Sequence, residues 1–144
     1  MATEGMLVQF MADDCVIETC GWDGMIKAHM PDDLIFSTMC HDGKRINDFH
    51  PCTSRRVIDA VGYYMPPCLK SYYGDPWISE VTKNIRRLVL LPELVIRHNH
   101  DLSDDAVRRK MKESAAEDKE MFRRFSYERM QASYKLAAVI NGTR

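Results

Sequence analysis

The sequence predicts an α+β fold: an N-terminal antiparallel β-meander that can curl into a small barrel, then a central helix and a long C-terminal amphipathic helix. Short apolar runs separated by turn residues fill the first 50 residues, and an apolar period of 3.6 residues runs through the last forty. A chain of 144 residues is about one domain. We expect a mixed core over residues 1–100 and a helical segment over 101–144, packed on that core or on a partner.

The predicted meander rests on four apolar segments, spaced eight to ten residues apart and each followed by residues typical of turns. They span residues 6–10, 15–20, 25–30 and 34–39. This spacing is typical of strands joined by short turns, so the sequence predicts four consecutive antiparallel strands.

The middle of the chain is less regular. Ser54 is placed to cap a short helix over residues 55–64, although a strand fits those residues nearly as well. Asp75 and Pro76 resemble the N-cap and first residue of a helix, which the apolar spacing extends to about residue 90, before Pro92. Residues 92–97 form a second apolar piece of either type.

The last forty residues give the clearest helical pattern. Ser103 is a suitable N-cap, and the apolar residues that follow fall along one side of a helix. Asp118 interrupts this apolar stripe, and a capping-box pattern begins at Ser114. The segment is therefore either one helix of about 36 residues, roughly 54 Å long, or two helices that meet near Ser114.

A long helix with apolar residues along one side is typical of a binding element. Tyr127, Met130 and Tyr134 lie off the main apolar stripe, which suggests that the helix is covered on two sides. We therefore expect a non-enzymatic interaction or regulatory protein that acts as a homodimer or as a complex subunit. The expected partner-binding residues are Met121, Phe125, Tyr127, Met130, Tyr134 and Leu136.

The five cysteines predict reduced thiols. Their number is odd, and the acidic N-terminus carries no apolar leader segment, so we expect a cytoplasmic or nuclear protein. No apolar run reaches the roughly 18 residues of a membrane span, so no membrane association is expected.

A small set of cysteines and histidines has the chemistry of a zinc site. His98 and His100 are two residues apart, so in an extended segment they point to the same side. Thiolate and imidazole are the usual ligands of zinc, which makes Cys15 and Cys20 candidates to complete the site. The sequence thus allows one structural zinc at these four residues; otherwise the thiols are buried apolar side chains, the histidines lie on the surface, and no cofactor is expected.

A small zinc-stabilised nucleic-acid or chromatin-binding domain is the alternative function. The segment Cys20-Gly21-Trp22-Asp23-Gly24-Met25-Ile26 resembles the opening of SAND domains, which implies binding to DNA or chromatin partners, although that family's Lys-Asp-Trp-Lys motif is absent. The basic residues Arg86, Arg87, Arg108 and Arg109 would then contact phosphates. Acidic residues alternate with the helical ones, and the net charge is −1, so nucleic acid is not the favoured partner.

Enzymatic activity is less expected than binding. Neither a GxGxxG pattern nor a Walker phosphate loop occurs. A cysteine-dependent enzyme would need a histidine base beside its thiol, and spacing alone does not bring such a pair together.

Overall fold

The protein combines a mixed β-sheet with five helices among the residues that the computed structural model describes, namely 5–44, 46–47, 50–99 and 105–142, apart from the side chains of Asn47 and residues 105–108. The strands are β1 (Leu7–Gln9), β2 (Cys15–Ile17), β3 (Ser37–His41), β4 (Ile46–Asn47), β5 (Cys52–Ser54) and β6 (Leu88–His98). The helices are α1 (Trp22–Ala28), α2 (Arg55–Val61), α3 (Gly74–Asn84), α4 (Asp105–Arg124) and α5 (Ser126–Gly142). The α+β class and the strand-rich N-terminal region are confirmed.

The strands are not joined as a meander. Their order is β1-β5-β3-β6-β2, with β4 paired to β3, and the sheet forms a half-barrel. β1 pairs antiparallel with β5, β2 pairs antiparallel with β6, and β3 runs parallel to β6. The first two strands therefore take partners far along the chain, because tertiary packing decides which strands meet.

The third predicted strand, residues 25–30, is wrong, because residues 25–28 form the second half of α1 and His29 is its C-cap. Gly21 takes a left-handed backbone conformation (φ 69°) at the N-cap, and Asp23 and Lys27 form an i,i+4 ion pair at 3.2 Å. The apolar residues Trp22, Met25 and Ile26 are spaced for one helical side, and Ile26 is buried. Such a short apolar run fits a strand or a helix equally well by pattern.

The predicted cap at Ser54 is confirmed. Its hydroxyl accepts a hydrogen bond from the backbone N–H of Val57 at 3.4 Å, at the start of α2. Val57 and Val61 face inward, and Gly62 ends the helix in the left-handed conformation (φ 91°) that glycine adopts without strain.

The central helix is shorter than predicted. α3 begins after Tyr73 as N-cap, instead of Asp75, and ends at Asn84, since Arg86 turns the chain with a left-handed φ of 58°. Of the residues predicted to continue the helix to about 90, residues 85–87 form a turn and residues 88–90 begin β6. Pro92 lies within this strand where the register with β3 shifts, a bulge that does not require a proline N–H.

The C-terminal segment forms two helices that meet at Phe125 and not near Ser114, which lies inside α4. The predicted cap, Ser103, lies outside the described residues. At the junction the buried Arg129 donates from Nη1 to the Phe122 carbonyl, and its guanidinium packs over the rings of Phe122 and Trp77. Backbone hydrogen bonds still cross the junction, from the N–H of Phe125 to the Met121 carbonyl and from the N–H of Arg129 to the Phe125 carbonyl.

Two hydrophobic clusters hold these elements together. The first joins α2, α3 and α5 through Val57, Trp77, Ile78 and Leu136 among others. The second packs α1 against the strands and includes Ile26, Phe36, Cys40, Leu91 and Ile96. α5 therefore packs on the chain's own core. Among the described helices, none has the length and apolar character needed to cross a lipid bilayer.

Candidate metal centre

Three segments that are distant in sequence bring Cys15, His50 and His98 together. Cys15 is the first residue of β2 and His98 the last of β6, and the antiparallel register makes them direct cross-strand partners. His50 lies just before β5 with a left-handed φ of 53°. The β2–β6 pairing and the turn into β5 together create the cluster.

The distances within this cluster suit a metal ion. Sγ of Cys15 lies 3.2 Å from Nε2 of His50, and the rings of His50 and His98 meet edge to face with centroids 4.9 Å apart. One ligand atom from each of the three residues lies within 4.8 Å of the other two. Bonds from zinc to sulfur and to imidazole nitrogen are about 2.3 and 2.0–2.1 Å, so a single ion reaches all three after a small adjustment.

His50 is held firmly in place. Its backbone N–H donates to Oδ2 of Asp75 at 3.3 Å, and its carbonyl accepts from Nε2 of Gln9 at 2.6 Å. Its buried ring stacks near that of Phe10, which stacks in turn on Tyr64. A ligand whose orientation is fixed before the metal arrives loses little conformational entropy on binding.

The surroundings of Cys15 favour a cation over a free thiolate. Burial raises the pKa of the Cys15 thiol, a backbone hydrogen bond with Ala12 lowers it by less, and the carboxylates of Asp14, Asp75 and Asp13 raise it further. A catalytic cysteine is normally activated by positive neighbours, whereas this one has negative ones. The Cys15–His50 pair therefore resembles a metal site more than a nucleophile and its base.

Asp14 adds a carboxylate at the edge of the cluster. Its Oδ1 lies 2.7 Å from Nε2 of His98, which is hydrogen-bond distance. Its backbone carbonyl also accepts the N–H of Asn99 at 2.9 Å. The residue is thus attached to the end of β6 by both backbone and side chain.

The structure brings two of the predicted metal ligands together and separates a third from them. Cys15 and His98 belong to the cluster, Cys20 is exposed in the turn before α1, and His100 lies outside the described residues. His50 was not predicted, because it stands alone in an irregular stretch with no spacing to mark it. Only the pairing of β2 with β6, beside the turn into β5, shows its role.

The predicted partner-binding residues divide between core and surface. Leu136 is 0% exposed and packs in the first cluster, where Met121 and Phe125 are also partly buried. Tyr127, Met130 and Tyr134 are exposed on α5, by 61%, 40% and 60%. Of the predicted set, these last three side chains are the ones that remain exposed.

The predicted phosphate-binding arginines lie on two separate parts of the fold. Arg86 is exposed in the turn between α3 and β6, and Arg87 beside it forms an ion pair with Asp33 at 2.5 Å. Arg109 is exposed on α4, and the side chain of Arg108 lies outside the described part of the chain. The pairing of Arg87 with an acid weakens the case for a phosphate contact there.

In comparisons with known proteins, the chain matches no protein-family model, no curated protein and no solved structure.

Proposed function

We propose that this protein binds one zinc ion through Cys15, His50 and His98. The observation that carries the proposal is the convergence of these three donors, from segments far apart in sequence, within 4.8 Å of one another. One thiolate with two imidazoles is a donor set that suits zinc better than calcium or magnesium, which prefer oxygen. The negative charge of Asp13, Asp14 and Asp75 near the thiol adds attraction for a cation.

The role we assign to the ion is structural. β2 is only three residues long and forms one end of the strand order, and among the described strands it pairs only with β6. A metal shared by β2, β6 and the turn into β5 would link three segments that short strand pairing holds weakly. The described residues supply three donors, which leaves a fourth position for water or for a donor outside them.

Metal content tests this function. We expect the zinc-loaded protein to carry about one zinc per chain, and its cobalt-substituted form to show the intense near-ultraviolet absorption of a cobalt–thiolate bond. Cys15→Ser should lose both signals. Cys20→Ser is the matched control, because Cys20 is exposed and outside the cluster, and it should keep them. The proposal fails if wild-type protein binds no metal, or if Cys20→Ser is as damaging as Cys15→Ser.

The exposed side of α5 supports a second candidate function, that of a non-enzymatic interaction or regulatory protein which acts as a homodimer or a complex subunit. Tyr127, Met130 and Tyr134 expose large apolar surfaces on a helix whose opposite side is in the core. Met130 and Tyr134 also line a groove of about 830 Å³ between α5 and the end of α3. Exposed aromatic and methionine side chains are enriched at protein interfaces.

Oligomeric state tests the homodimer form of this candidate. We expect wild-type protein to sediment as a dimer at micromolar concentration, and the double variant Tyr127→Ser/Tyr134→Ser as a monomer, because it removes two of the exposed rings. Lys135→Gln, an exposed change on the same helix, is the control and should remain dimeric. Leu136 is unsuitable for this test because its substitution would disrupt the core. A wild-type protein that stays monomeric at high concentration would remove the homodimer.

A further inference from the structure

Asp14 contacts His98, one of the three candidate metal ligands, but it is not itself a member of the cluster of candidate ligands. Its Oδ1 is 2.7 Å from Nε2 of His98, but the donors that lie mutually within 4.8 Å are those of Cys15, His50 and His98. Its position therefore suits a partner of His98 better than a further ligand of the ion.

The contacts of the two histidines distinguish their ring nitrogens. For His50, Nε2 lies 3.2 Å from Sγ of Cys15 and Nδ1 lies 3.9 Å away, so Nε2 is the nitrogen nearer the shared space. For His98, Nε2 is engaged by Asp14. An imidazole that binds a metal through one nitrogen normally donates the N–H of the other nitrogen to a carboxylate or carbonyl group.

We propose that Asp14 is a positioning residue for the metal centre: it accepts a hydrogen bond from Nε2–H of His98, and so fixes the tautomer in which Nδ1 of His98 binds the ion. This inference rests on the zinc binding proposed above. The backbone hydrogen bond from Asn99 to the Asp14 carbonyl keeps the carboxylate beside the ring. The partial burial of both side chains limits competition from water for the contact.

Zinc affinity, measured by competition with a chromophoric chelator, tests the role of Asp14. We expect Asp14→Ala to bind zinc about 10- to 100-fold more weakly than wild type, which is the usual cost of losing such a carboxylate. Asp14→Asn should lose less, because its amide oxygen can still accept the hydrogen bond. Asp32→Asn is the matched control: it removes an equal charge from an exposed residue that is not among the carboxylates acting on Cys15, and it should change the affinity by less than about 3-fold.

Spectroscopy separates a positioning residue from a ligand. The cobalt spectrum of Asp14→Ala should keep its thiolate band and tetrahedral absorption, since the ligand set is unchanged. In the zinc-bound wild type, nitrogen-15 NMR should show His98 bound through Nδ1 and protonated at Nε2, and His50 bound through Nε2. Coordination of His98 through Nε2, a changed cobalt coordination number in Asp14→Ala, or an affinity equal to that of wild type would overturn the role of Asp14 while leaving zinc binding intact. A wild-type protein without metal affinity would overturn both proposals.

Discussion

Removal of zinc with a chelator should lower the midpoint of thermal unfolding by about 10 °C. An ion that binds only the folded state, present at roughly a thousand times its dissociation constant, adds about 4 kcal/mol of stability. For a domain of this size each kcal/mol corresponds to roughly 2–4 °C. Differential scanning calorimetry with zinc and with excess chelator measures the shift directly.

Two variants and one control test whether the shift in the unfolding midpoint requires the proposed metal ligands. Cys15→Ser and His50→Ala should unfold at the same temperature with zinc and with chelator, because each removes one of three donors. Cys20→Ser should keep the full wild-type shift, since its thiol is outside the cluster. A wild-type midpoint that does not respond to chelation would contradict a structural role for the ion.

Replacement of Asp118 by alanine should cost about 3 kcal/mol of stability, from the loss of charge-assisted hydrogen bonds and the exposure of unpaired donors. The buried carboxylate accepts three successive backbone N–H groups, from Lys70 at 2.9 Å, Ser71 at 2.8 Å and Tyr72 at 2.7 Å. It thereby attaches α4 to the loop before α3. Urea denaturation of wild type and variant measures the difference.

The contribution of Asp118 should depend on pH. Burial alone would raise its pKa, but the backbone hydrogen bonds from Lys70, Ser71 and Tyr72 outweigh burial and leave the pKa below its ordinary value of 3.8. A carboxyl whose pKa is lowered by folding stabilises the protein fully above the unfolded pKa. The stability difference between wild type and Asp118→Asn should therefore be constant near neutral pH and shrink as the pH falls below about 4.

The neighbouring residue Glu117 provides the control for Asp118. Its carboxylate pairs with Nζ of Lys70 at 2.5 Å, but both side chains are well exposed. Exposed ion pairs contribute only about 0–1 kcal/mol, so Glu117→Gln should be nearly as stable as wild type at every pH. Equal losses in the two variants would show that Asp118 does not act through its buried hydrogen bonds.

The sequence predicted those elements whose signals are local. α4 has the one-sided apolar pattern that the sequence predicts, and the start of α2 follows from the hydroxyl of Ser54. α5 is also a helix, but it carries large apolar side chains on both its buried and its exposed sides. Asp118 broke the apolar stripe of α4 because its partner, the backbone of residues 70–72, is contributed by another part of the chain. The sequence therefore marked the residue as unusual without revealing the cause.

The errors occurred where tertiary structure decides. Residues 25–30 carry too few apolar positions to separate a helix from a strand. Pro92 was interpreted as the end of a helix, because the bulge that accommodates it exists only when β6 lies beside β3. The spacing of apolar segments predicts only pairs of strands that follow each other in sequence, so it could not predict that β2 pairs with β6.

The candidate metal site was also predicted only in part, because local sequence marks two of its residues and tertiary structure places the third. Cys15 and His98 attract attention from residue type, since thiols and closely spaced histidines are common zinc ligands. His50 has no such neighbour in sequence, and its place in the cluster depends on the turn into β5 and on its hydrogen bond to Asp75. Cys20, which spacing joined to Cys15, is exposed beyond the end of β2.

The pairing of β2 with β6 has a consequence for synthesis on the ribosome. Glu18, the residue after β2, forms an ion pair with Arg97 of β6, and the two residues are 79 positions apart in the chain. β2 therefore has no strand partner during synthesis until residues 96–98 of β6 have left the exit tunnel. Because contacts between distant residues form slowly, the nascent N-terminal region should need protection by chaperones for longer than a protein built from local hairpins.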